Sequence, residues 1–213
     1  MKTKDKILIA SLDAFADEGV GQISTNHIAD IMDISPGNLH YHFKGKSEII
    51  AELLRCFNTD FNAFMKTEST TMSSKQSMWL KLTLSFQLMD KYRFIFKESS
   101  YILSKYPHLR RTFAKVMQTT KHAIDSFCRL LENRQIITAE EQELVCLANN
   151  LHLLFTQWPS YIAASSNQVN PDGVNLEIQS LYIKQGVNQI LNLLYPYMSS
   201  EDKCLLREIQ IRS

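Results

Sequence analysis

The chain has 213 residues, 45% of them hydrophobic, with 23 Lys and Arg against 22 Asp and Glu, which suits a soluble globular fold of one or two domains. A formal net charge of +1 gives no global bias toward nucleic acid, so any such reading must rest on local charge placement. Cys56, Cys128, Cys146 and Cys204 form no Cys-x-x-Cys pair, which argues against a zinc site; the MKTKDK start lacks a signal peptide's apolar region, and no apolar run is long enough to span a membrane, so a cytoplasmic protein with reduced thiols is expected.

Glycine and proline are scarce and helical periodicity fills the spaces between them, so an all-α fold is predicted. The first helix runs from about Thr3 to Glu18, with Ile7, Leu8, Leu12, Phe15 and Ala16 on one face and Gly19 and Gly21 ending it. Ser24 or Thr25 can cap a second helix, from about Thr25 to Met32. Asp33, Ile34 and Ser35 make a turn, and Pro36 suits the first turn of a short third helix ending near Phe43. Lys44-Gly45-Lys46-Ser47 breaks that helix, and Ser47 can cap a fourth that continues to about Lys66. A polar Ser/Thr-rich connection at 67–77 marks a junction between the two parts of the molecule. Further helices are predicted near 76–91, 93–104, 108–133, 139–165, 176–195 and 200–211.

Two short helices joined by a tight turn, after one longer helix, form a helix-turn-helix. In that arrangement the second short helix enters the major groove, and hydroxyls, backbone N–H groups and cations at helix starts hold phosphates. Thr25 and Ser35 supply hydroxyls at helix starts. Pro36, Gly37 and Asn38 open the third helix: Gly37 allows close backbone approach, and the Asn38 amide can pair bidentately with adenine. His40 and Tyr41 extend the contact surface, and His42, Lys44 and Lys46 face phosphates. From Ile34 to Ser47 there is no acidic residue, so the local field is positive although the total charge is nearly neutral. Leu39 and Phe43, four apart, belong to the core. His40 and His42 project in different directions, which argues against a shared metal.

The stretch STNHIADIMDISPGNLHYHFKGKSEII resembles the DNA-binding domain of tetracycline-repressor-like (TetR) regulators, with Thr25, Ile28, Ala29, Gly37, Leu39, Tyr41, Phe43 and Lys46 in register. His40 departs from the aromatic residue that many relatives carry there. The resemblance implies regulation at a palindromic operator, repression above all, by a homodimer that a small molecule bound in the C-terminal domain often releases. On this reading residues 1–48 form the helix-turn-helix domain and residues 49–213 a helical regulatory and dimerisation domain.

The C-terminal part is rich in aromatic residues and methionine, and most of these belong to a helical core. Phe86, Met89, Phe113, Met117, Phe155 and Trp158 are candidate walls of a pocket for an apolar or amphipathic ligand, with His152 and Gln157 as polar groups that could orient it. The helices near 139–165 and 176–195 are apolar on more than one face, which suggests a helix-helix interface between two chains. No catalytic residue, metal site or cofactor is called for: the sequence has no Gly-x-Ser-x-Gly, His-Glu-x-x-His or Gly-rich phosphate loop. The alternative to a ligand-responsive regulator is a DNA-binding regulator or architectural protein without an effector.

Overall fold

Side-chain caps, a proline and three left-handed stops cut the chain into helices. The computed structural model describes residues 2–66, 75–165, 176–201 and 203, with the backbone alone for 75–79 and 176–182. Its helices are α1 (Thr3–Asp17), α2 (Thr25–Ile31), α3 (Pro36–His42), α4 (Lys46–Lys66), α5 (Lys75–Lys91), α6 (Arg93–Lys97), α7 (Ser99–Lys105), α8 (Arg110–Asn133), α9 (Glu141–Ser165) and α10 (Leu176–Leu194). Among the described residues there is no strand, only an isolated antiparallel bridge between Ile137 and Met198. Residues 67–74 of the expected connection, and most of the expected helix at 200–211, lie outside the described residues.

The reading head is built from local rules. Gly19 ends α1 with a φ of +94°, a conformation that favours glycine. Ser24 caps α2 by accepting the His27 N–H at 3.1 Å. Asp33 then takes a φ of +50°, and the Ile34 N–H closes on the Ala29 carbonyl at 3.0 Å, a Schellman-type stop that sets the turn of the motif. Ser35 caps α3 by accepting the Asn38 N–H at 3.1 Å, with Pro36 in the first turn. Ile23, Ile28, Ala29, Leu39, Phe43, Ile49 and Ile50 are buried together and fuse α1–α4 into one core.

Several boundaries differ from the sequence reading for physical reasons. The fourth helix begins at Lys46 rather than after Ser47, because Glu48 reaches back and accepts the Lys44 N–H at 2.8 Å. The single helix expected at 93–104 is two: Glu98 leaves helical geometry (φ −113°, ψ 22°) and turns its carboxylate toward the α1–α2 loop. The eighth helix ends at Asn133, where the sequence reading ends it, and just beyond it Gln135, with a φ of +57°, lets the Ile136 N–H reach the Leu131 carbonyl at 2.9 Å.

One helix belongs to both halves of the molecule. α4 packs on α1 within the head and on α8 in the body, running unbroken through positions 48 and 49. Its Phe57 ring meets Phe61, Tyr92 and Phe96 at 5.4–5.5 Å between centroids. The Tyr92 hydroxyl donates to Asp60 at 2.7 Å, and burial followed by that carboxylate pushes the phenol well above its usual pKa. α8 and α9 pack along each other, and α10 covers α5 and α9.

Candidate nucleic-acid interface and effector cavity

α3 has one buried face and one open face. Leu39 and Phe43 point into the core at 2% and 3% exposure, as a spacing of four on one face requires. On the other side Ser35, Pro36, Gly37, Asn38, His40 and Lys44 are exposed, and Tyr41 is 78% exposed. Thr25, His42 and Lys46 are half-buried, and the Tyr41 and His42 rings meet edge to face at 5.2 Å. Seven residues at about 1.5 Å rise make a rod roughly 10 Å long, which an opening about 12 Å wide, the major groove, admits. Gly37 has no internal reason to be glycine: a Cβ there would meet only the Ser35 Oγ, at 3.9 Å.

The lysines following α3 are engaged with the fold more than their sequence positions suggest. The Lys44 ammonium donates to the His40 carbonyl at 3.3 Å, at the C-terminal end of α3. Lys46, expected to face phosphates, instead donates to the Val20 and Ile23 carbonyls at 2.6 Å each. Both carbonyls belong to buried residues of the α1–α2 loop, where water competes poorly, and one of the three ammonium donors remains for another partner. Burial, more than any neighbouring charge, lowers the pKa of Lys46; Glu98 opposes this and Lys105 adds to it.

The same loop is gripped from the body. Glu98 accepts the Val20 N–H at 2.8 Å and the Gly21 N–H at 3.3 Å. A Cβ on Gly19 would lie 2.9 Å from the Glu98 Oε1, a second reason for glycine there. Arg93 donates to the Ala16 carbonyl at 3.1 Å and pairs with Asp17 at 2.6 Å. Sequence reasoning missed Glu98 and Arg93, because nothing local marks an acid or a base whose partner lies more than seventy positions away.

Inside the body, α4, α5, α8, α9 and α10 line a cavity of about 50 Å³, open on one side, with Phe61, Phe64, Met65, Lys81, Leu82, Ser85, Ala123, Ile124, Phe127, Leu151, Phe155 and Ile190 on its walls. Of the expected pocket residues only Phe155 lines it. Phe86 and Met89 are fully buried core, with Phe86 edge-to-face on Phe155 at 5.2 Å. Phe113 is buried and Met117 packs against the core, and neither reaches the cavity. His152 sits 2.9 Å from the Thr120 hydroxyl between α8 and α9, with its pKa lowered chiefly by burial. Gln157 and Trp158 belong to a different place, an open groove between the outer faces of α9 and α10, where Gln157 is exposed and Trp158 stacks on Tyr161. Helical spacing identifies an apolar face but not which neighbour that face meets. The polar cavity groups it missed are Ser85 and Lys81, the latter buried and donating to the Met65 carbonyl at 3.4 Å.

That outer surface carries Leu153 and Tyr161 at 62% and 59% exposure, and α9 exposes Val145 as well. Among the described residues no helix is long and apolar enough to cross a membrane.

Comparison with known proteins agrees with this architecture. Residues 7–53 match the family described as bacterial regulatory proteins of the tetR family, and residues 56–205 match the family described as TetR bacterial transcriptional repressors. A TetR-family transcriptional regulator from Marinobacter aquaeolei superposes with a TM-score of 0.84 at 28% identity, covering 100% of this chain and 98% of that one. The HTH-type transcriptional regulator QacR of Staphylococcus aureus is 34% identical over 68 residues, 32% of this chain and 36% of that protein. The probable HTH-type transcriptional regulator YttP of Bacillus subtilis is 25% identical over 105 residues, 46% of this chain and 51% of that protein. The chain thus spans about half or less of the length of the curated relatives it matches. With an exposed groove-sized helix on a capped head, an apolar cavity behind it and both halves matched, the chain belongs to the TetR family of bacterial transcriptional regulators.

Proposed function

We propose that the chain is a homodimeric repressor that binds a palindromic operator through α3 and releases it when an apolar or amphipathic small molecule occupies the cavity. The observation that carries the DNA reading is the open face of α3: Asn38, His40 and Tyr41 stand free of the core beside a glycine that the fold itself does not need. Thr25, Ser35, Pro36, Gly37, Asn38, His40, Tyr41, His42 and Lys44 form the contact surface, and Lys46 contributes through its remaining donor. The exposed groove between α9 and α10, with Leu153 and Tyr161 on it, supplies the two-fold interface, and two heads would meet half-sites about 34–36 Å apart or a modest multiple of that.

The cavity explains how a ligand would be felt at the head. At about 50 Å³ the cavity is small, and a bulky ligand seated deep in it would shift its walls. One wall is the C-terminal half of α4, whose first residue, Lys46, holds the α1–α2 loop. A ligand acts by its difference in affinity for the closed and expanded states. The small volume also favours the second reading, a regulator without an effector.

The test is selection of binding sites from random duplex DNA with the purified protein. Inverted repeats are expected, with Asn38→Ala relaxing base preference at one position of each half-site by about 1–3 kcal/mol. Failure to enrich any symmetric sequence would remove the operator reading. Adding apolar small molecules to the enriched complex separates the two readings: release with Ala123→Phe blocking it supports the effector, and no release by any compound favours its absence.

A further inference from the structure

Next to the α1–α2 loop the body presents cations without counter-charges. From Ser99 to Lys115 the sequence contains no acid but has Lys105, His108, Arg110, Arg111 and Lys115. All five side chains are exposed, and among the described residues none of the lysines and arginines in this run has an ion pair. Some exposed cations elsewhere are paired, as Lys91 is with Asp60 and Arg129 with Glu141. The corner where α7 turns into α8 is therefore a concentrated, uncompensated positive surface.

Its position ties it to the head. Glu98, Tyr101 and Lys105 follow one another at helical spacing on one side of α7. Glu98 holds the Val20 and Gly21 N–H groups, and the Tyr101 ring lies 3.7 Å from where a Cβ on Gly21 would stand. Lys105 is close enough for its charge to disfavour that of Lys46 at the start of α4. Three residues beyond Gly21 the chain enters α2 at Ser24, one of the helix starts assigned to phosphates.

We propose that the α7–α8 corner, through Lys105, Arg110 and Arg111, is a second DNA contact that grips phosphates of the same duplex beside the half-site read by α3. The contact is independent of base sequence, since it uses point charges on the backbone rather than groove edges. It rests on the reading that α3 enters the groove. A polyanion fits better than a small acid because the cations are spread over an α7 end, a turn and an α8 start rather than converging on one point.

The probe is the duplex enriched by the wild-type chain from random DNA. The variant Lys105→Gln/Arg110→Gln/Arg111→Gln is compared with Arg55→Gln/Lys91→Gln/Arg129→Gln, which changes net charge equally on other surfaces. The first variant is expected to bind about tenfold more weakly at low salt, with the slope of log K against log salt reduced by up to about 2.7 units, at roughly 0.9 per phosphate. Base preference stays unchanged, and hydroxyl-radical footprinting loses a strip of protected backbone adjoining the half-site. Equal footprints and slopes for the two variants would overturn the proposal while leaving the α3 reading intact. Enrichment of no duplex by the wild type would overturn both.

Discussion

Replacing Lys46 by methionine keeps the apolar stem and removes the ammonium, which separates a phosphate ligand from a structural brace. In the structure the ammonium makes two charge-assisted bonds of 2.6 Å, to the Val20 and Ile23 carbonyls. Such bonds contribute about 1.5–3 kcal/mol each, and water can reach part of the vacated site because Lys46 is half-buried. The expected loss is therefore about 2–4 kcal/mol, toward the lower end of the sum. It falls on the head, since the loop it braces leads directly into α2. Hydrogen exchange of peptides covering residues 20–43 should show lost protection, and urea unfolding followed by far-UV circular dichroism should show an earlier transition. DNA affinity falls as a consequence, through disorder of the head. If Lys46 were chiefly a phosphate ligand, exchange and unfolding would match the wild type within about 0.5 kcal/mol while the salt slope dropped by about one. That pattern would refute the structural assignment.

Gly37→Ala separates folding from binding: a methyl there meets nothing closer than 3.9 Å, so stability should hold or rise by up to about 1 kcal/mol while operator affinity falls, and an unchanged Kd would place the α3 backbone away from the duplex. Gly186→Ala should do the reverse, because its Cβ would stand 2.4 Å from the Phe86 ring and 2.8 Å from the Trp158 Nε1; overpacking of about 1–3 kcal/mol outweighs the helix-propensity gain of about 1, and a thermal transition at or above the wild-type temperature would mean that α10 sits farther out. His152 gives a pH signature, since burial followed by Lys121 depresses its pKa against the opposing influence of Asp125 and a hydrogen bond to the Met117 backbone. The unfolded chain then binds more protons below about pH 6.5, so His152 leaves stability intact above that value and lowers it progressively as pH falls toward the folded-state pKa. His152→Gln should flatten that part of the stability profile, and an unaltered profile would assign the acid sensitivity to other groups.

The head was legible in the sequence because its signals are local. Ser24 and Ser35 cap helices three residues away, Asp33 makes its stop within six positions, and Leu39 with Phe43 share a face by helical geometry alone. The same kind of signal placed most body helices but misread their interior. The split at Glu98 was invisible, because the carboxylate leaves its helix for a loop 78 positions earlier.

By itself, then, the chain determined an all-helical architecture, the capped turn of the head and which face of α3 stays open, since each depends on interactions within about a turn or two of helix. Only the tertiary structure decided that Lys46 braces a loop, that Phe61, Lys81 and Phe127 rather than Trp158 and Gln157 surround the cavity, and that Lys105 of the α7–α8 corner stands near Lys46. Those outcomes depend on which helix lies against which. Apolar periodicity specifies that a face will be buried but carries no information about the identity of the surface that buries it.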